Sequence, residues 1–129
     1  MARPASKYPT ELELQILKVL WQDAPLLARE VQAVLAGNGR ELAKTSVITT
    51  LNTMVDKKYL KRRKQANTYL FSPRISENEV GERVLGDVVD RVFDGSTASV
   101  VMKLFDVGQI DEAELKELRR VINRKLKDA

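Results

Sequence analysis

Cysteine and histidine are both absent from this chain of 129 residues. Without them, disulfides, thiolate catalysis, imidazole proton transfer and the usual zinc and copper sites are excluded, and no cofactor is expected. No apolar run approaches the length of about 18 residues that a membrane span needs, and no N-terminal stretch reads as a secretory signal. A soluble, cytoplasmic protein without membrane contact is expected. A Gly-rich phosphate loop and a nucleophile elbow are also missing. The carboxylates Glu112, Glu114 and Glu117 fall on what reads as a solvated helix face. The composition therefore points away from an enzyme.

What the chain does have is an uneven distribution of charge. Hydrophobic residues make up 43% of it and the formal net charge is +4. Residues 1–75 hold 13 Lys/Arg against 6 Asp/Glu, whereas residues 76–129 hold 9 against 12. A basic half joined to an acidic half suggests one part for a polyanion and one for another task.

The basic half has a layout of its own. Residues 1–9 read as a loose arm. Thr10 and Glu13 form a capping box for a helix in which Leu12, Ile16, Val19 and Leu20 recur at helical spacing. Trp21 closes that helix and Pro25 stops it. Leu26-Leu27 is short enough to be a small first strand. A second helix over 28–35 turns Val31, Val34 and Leu35 inward and ends at Gly37-Asn38-Gly39. A third helix over 44–57 points Val47, Leu51, Met54 and Val55 to a core. Its opposite stripe carries Thr45, Ile48, Thr49, Asn52 and Asp56, with Lys44 and Ser46 at the start. Hydroxyls, an amide, a cation and an exposed aliphatic suit a helix that reads base edges in a major groove. Next come six cations in the eight residues 57–64. Gln65-Ala66-Asn67 is expected to turn the chain and 68–71 to return as a strand. Lys61, Arg62, Arg63 and Lys64 are the expected phosphate contacts, Gln65 and Asn67 are expected to bind DNA beside them, and Tyr69 and Phe71 are expected to pack the hairpin. Three helices and a basic hairpin make a winged helix-turn-helix, expected to bind double-stranded DNA.

Pro73 and Ser76 mark the expected joint between a DNA-binding domain, 1–75, and a helical domain, 76–129. Ser76 and Glu79 form a second capping box, starting a helix over about 77–93. Val80, Val84, Val88 and Val92 lie four apart on it, with Leu85, Val89 and Phe93 alongside. Asp94-Gly95-Ser96 breaks it. A shorter helix over 97–105 follows, and Asp111 caps a last one with Leu115, Leu118, Ile122 and Leu126 on its apolar face. Three helices in about 54 residues make a marginal unit. Either these stripes pack on their own winged helix, or two copies cover each other in a homodimer; the width of the stripe on 80–93 favours the homodimer.

The segments 10–21, 43–54 and 67–73 resemble the penicillinase repressor and methicillin-resistance regulator family, and the similarity continues through Phe93-Asp94-Gly95-Ser96 and 111–122. The resemblance implies a mainly α winged-helix repressor with a small β-wing and a C-terminal three-helix dimerisation domain. It also implies a homodimer on an inverted-repeat operator of the TACA/TGTA sort, at genes of β-lactamase or antibiotic response, released when a sensor-linked protease cuts the dimerisation domain. Leu27 stands where many members carry Ser or Thr, Thr53 where they often carry Arg, and Lys103-Leu104 where staphylococcal members carry the Asn-Phe cleavage junction. With no cysteine, the metal cluster of the copper-sensing branch has no counterpart. Two other functions fit a winged helix: a protein-interaction adaptor with no DNA target, and a non-specific architectural DNA binder.

Overall fold

The computed structural model describes residues 8–129, so most of the expected N-terminal arm lies outside the described residues. The order of elements is α1 (Glu11–Gln22), β1 (Leu26–Leu27), α2 (Ala28–Gly37), α3 (Lys44–Asp56), β2 (Leu60–Gln65), β3 (Thr68–Pro73), α4 (Glu77–Arg91), α5 (Thr97–Val107) and α6 (Glu112–Asp128). The protein is mainly helical with one small antiparallel sheet, ordered β1-β3-β2.

Local signals set the helix ends. Thr10 Oγ1 accepts from the Glu13 amide at 3.2 Å while Glu13 Oε1 accepts from the Thr10 amide at 2.9 Å, which satisfies two otherwise orphaned donors. Ser76 and Glu79 repeat the arrangement at α4, and Asp111 caps α6 through the Glu114 amide at 2.8 Å. At α2 the N-cap is Leu27, whose side chain has no acceptor. Only the returning half of the box is made there, by Glu30 Oε1 to the Leu27 amide at 2.8 Å.

The core of the first half gathers Ile16, Leu17, Leu20, Val31, Leu35, Val47, Leu51, Met54, Leu60 and Phe71 from α1, α2, α3 and the sheet. Polar ties lock it across long sequence separations. Glu13, 3% exposed, takes Lys57 Nζ at 2.9 and 3.2 Å, so a capping residue of α1 also anchors the end of α3. Trp21 Nε1 donates to the Ile75 carbonyl at 2.8 Å, holding the chain where it leaves the sheet. Gln32 Nε2 donates to the Leu42 carbonyl at 2.9 Å and fixes the approach to α3.

Three expectations change. Val34 is 42% exposed, because Val31 and Leu35 already fill the inward side of α2. Gln65 lies in β2, paired with Thr68, so the turn is Ala66-Asn67 alone, with Ala66 at φ 55°. Val80, expected on a dimerisation stripe, is 5% exposed and belongs to the chain's own core, with Val84 packed against it.

The chain divides into two compact units within α4, the first ending at Gly86 and the second running Asp87–Ala129. In the second unit Asp94 and Gly95 take φ 51° and 85°, the sharp reversal that the Asp94-Gly95 break requires. Gly108 ends α5, where an added Cβ would sit 2.7 Å from the Leu104 carbonyl oxygen. Every residue of α6 is exposed, and α5 is exposed apart from a half-buried Val100. This unit thus presents Met102, Leu104, Phe105, Leu115, Leu118 and Ile122 to its surroundings.

Candidate nucleic-acid interface

Helix α3 holds the candidate site in place by its inner stripe. Val47, Leu51 and Met54 are fully buried, so the opposite face is fixed outward by the 3.6-residue period. On that face Thr45, Ser46 and Thr49 are exposed and border one shallow depression with Thr50. The Thr50 hydroxyl is occupied, donating to the Ser46 carbonyl at 2.8 Å. Lys44 is exposed at the first position of α3 and Ala43 is its N-cap. A cation there opposes the helix dipole and weakens the helix unless an anion is near. Ile48 is half-buried rather than fully exposed. It lines a cleft with Arg29, Lys44, Asn67 and Thr68, so the structure brings the start of α3 and the turn of the hairpin together.

The hairpin separates its cations by strand parity. Leu60 pairs with Pro73, Arg62 with Phe71 and Lys64 with Tyr69, and cross-strand partners share a face. Leu60 and Phe71 are buried, so Arg62, Lys64 and Tyr69 stand on the core side of the sheet, toward α3. Lys61, Arg63 and Gln65 stand on the other side, where Lys61 and Arg63 border a groove with Pro25, Leu70 and Ser72.

The candidate residues therefore do not form one undivided surface, and Arg62, expected among the phosphate contacts with its neighbours, makes its contacts to the protein itself. Its Nη1 donates to Asn52 Oδ1 at 2.5 Å, and its guanidinium lies 4.4 Å from the centroid of the Tyr69 ring. Asn52, expected to face DNA, has its oxygen engaged by this arginine. Tyr69 packs the hairpin as expected, although through a cation. The signal available beforehand was parity: Arg62 is two residues from Leu60, the strand's apolar residue.

The other candidates are dispersed. Leu85 and Val92 are exposed by 57% and 67%, and Leu115, Leu118 and Ile122 by 45%, 37% and 46%; Val88, Val89 and Phe93 are half-buried. Lys103 and Leu104 lie inside α5, and the Leu104 carbonyl accepts from the Gly108 amide at 2.8 Å, so that peptide is part of a formed helix. Among the described residues, no cluster of acidic side chains could hold a metal ion and no helix is long and apolar enough to cross a membrane.

Three helices followed by an antiparallel wing, with the third helix facing outward, define a winged helix-turn-helix, a fold of transcription regulators. The model of the penicillinase repressor family matches residues 9–124, and the chain belongs to that family. It is similar to the penicillinase repressor of Bacillus licheniformis, 25% identical over 113 residues that cover 88% of each chain. The penicillinase repressor of Staphylococcus aureus is 22% identical over 111 residues, covering 86% of this chain and 87% of that one. A solved complex of RosR from H. salinarum superposes with a TM-score of 0.50 at 14% identity, covering 93% of this chain and 94% of that one, a likeness of fold. The chain is thus a transcriptional repressor by family, and not an enzyme.

Proposed function

We propose that this repressor binds an inverted-repeat DNA operator as a homodimer and acts by occupying the promoter. The carrying observation is the outward face of α3, with Thr45, Ser46 and Thr49 exposed, directly beside a cationic wing. In this reading Thr45, Ile48, Thr49 and Asn52 meet base edges in the major groove. Lys44, Ser46, Lys61, Arg63, Lys64, Gln65 and Asn67 meet phosphates and sugars, which position the protein without reading sequence.

Residues 76–129 supply the dimerisation domain in this reading. Leu85, Val88, Val89, Val92, Phe93, Leu115, Leu118 and Ile122 are its contacts, while Val80 and Val84 secure the start of α4 to the winged helix. The exposed apolar faces of α5 and α6 support that assignment, since a monomer leaves them in water. The relatives' names, penicillinase repressor and methicillin resistance regulatory protein, support a role at β-lactamase or related antibiotic-response genes. Derepression by a sensor-linked protease follows from the same likeness. A cut at Lys103-Leu104 first requires α5 to open locally, because that backbone is bonded as a helix.

The test is a titration of the protein against a TACA/TGTA inverted-repeat duplex and its scrambled counterpart at two salt concentrations. Tighter binding to the repeat is expected. Lys64→Ala should weaken both duplexes alike and flatten the salt slope by up to ~0.9 for each phosphate the protein no longer touches. Equal binding to both duplexes would leave an architectural DNA binder, and no binding to either a protein-interaction adaptor.

A further inference from the structure

Arg62, though exposed, stands apart from the other wing cations because its guanidinium is engaged by two side chains of the protein itself. Its Nη1 donates to Asn52 Oδ1 at 2.5 Å. Its guanidinium carbon lies over the Tyr69 ring, 4.4 Å from the ring centroid. The sheet register explains the meeting: Arg62 pairs with Phe71 and Tyr69 pairs with Lys64, so Arg62 and Tyr69 are diagonal neighbours on the face toward α3. Asn52 is half-buried on α3, ten residues earlier in the chain.

Resting on the reading that α3 faces base edges, we propose that Arg62 is a positioning residue that determines sequence specificity by fixing which end of the Asn52 amide the DNA meets. A free asparagine amide is nearly symmetric in shape and can present either its oxygen or its nitrogen. Bidentate recognition of adenine uses both, the oxygen accepting from N6 and the nitrogen donating to N7. With Oδ1 held by a guanidinium, the amide orientation is set, and the group offered outward is the Nδ2 donor. Such a donor selects a base edge with an acceptor, N7 or O6 of a purine or O4 of thymine, and disfavours cytosine, whose major-groove group is the N4 donor.

The device needs arginine and not merely a cation. A charge-assisted hydrogen bond is roughly twice as strong as a neutral one, and the Tyr69 ring adds a cation–π contact that keeps the guanidinium beside Asn52. Lysine has no plane to stack and no fixed fork. Arg62 therefore serves the reading helix, while Lys61, Arg63 and Lys64 remain to contact phosphates.

The test is selection from a pool of randomised duplexes by the full-length protein, wild type beside Arg62→Lys, Asn52→Ala and Asn52→Asp. Wild type is expected to disfavour cytosine by about 5- to 100-fold at one position of each half-site. Arg62→Lys should lose that discrimination at that position alone, with the salt slope unchanged because the charge is kept. Asn52→Ala should lose the same position, and the double variant should lose nothing further. Asn52→Asp keeps a partner for Arg62 but offers only acceptors, so its preference should move toward cytosine. A merely structural contact would lower the melting temperature and leave base preference as it was. Unchanged preference in Arg62→Lys overturns the proposal. So does a uniform loss on all duplexes with base preference unchanged, which would make Arg62 a phosphate contact. Absence of any base preference in the wild type would overturn the operator reading itself, and this inference with it.

Discussion

Replacing Glu13 tests how the reading helix is held. Its carboxylate makes two kinds of contact at once: it accepts from the Thr10 amide at 2.9 Å, and it takes Lys57 Nζ at 2.9 and 3.2 Å. The side chain of Glu13 is 4% exposed and that of Lys57 28%. Losing the capping half costs about 1 kcal/mol. Breaking a fully buried ion pair by removing one partner costs about 3–5 kcal/mol. Lys57 can turn partly back to water, which reduces the cost to about 2 kcal/mol, below that range. Glu13→Ala should therefore destabilise the protein by about 3 kcal/mol, lowering the melting temperature by roughly 10 °C. Glu13→Gln keeps one oxygen that the Thr10 amide and Lys57 can share but loses the second acceptor for Lys57, and should cost about 1–2 kcal/mol. Thermal and urea denaturation followed by circular dichroism measure both. Lys57→Met tests the pair from the other side, and the double variant Glu13→Ala/Lys57→Met should be less destabilised than the sum of the two single changes. A loss below 1 kcal/mol for Glu13→Ala, or equal losses for Ala and Gln, would refute the claim that the charge pair anchors α3.

Other outcomes follow from single residues. Ala66 occupies the left-handed region at φ 55°, where a Cβ costs about 1–2 kcal/mol; Ala66→Gly should stabilise the wing by about 0.5–1 kcal/mol after the added chain entropy, read by urea denaturation. Ile122→Asp places a charge on the exposed apolar face of α6 and should convert a particle of twice 14.6 kDa into one of single chain mass in light scattering. Without the dimer, operator affinity should fall by about 100-fold or more.

The parts of this fold that were legible in the sequence are those specified locally. Thr10 with Glu13, Ser76 with Glu79, and Asp111 each mark a helix start within four residues, and the inner stripe of α3 follows from its period alone. What was hidden depends on distant partners. The second contact of Glu13 is with a residue 44 positions away, and Trp21 finds its carbonyl 54 positions away. The stripe of valines on α4 is visible as a pattern, but periodicity does not say which surface covers it. Val80 and Val84 are taken by the core of their own chain. For the same reason the division into units falls inside α4 and not at the Pro73–Ser76 joint, since the first turns of that helix pack backward. On the wing, a run of like charges conceals the alternation of faces, so Arg62 looked like its neighbours until the register separated them.

Hydroxyl-radical footprinting of the full-length protein on an inverted-repeat duplex tests the central claim most directly, because it sees groove, symmetry and spacing together. The account predicts two equivalent protected patches related by a two-fold axis, with centres about one helical turn, ~34 Å, apart. A single patch, or even protection along the whole duplex, would contradict it.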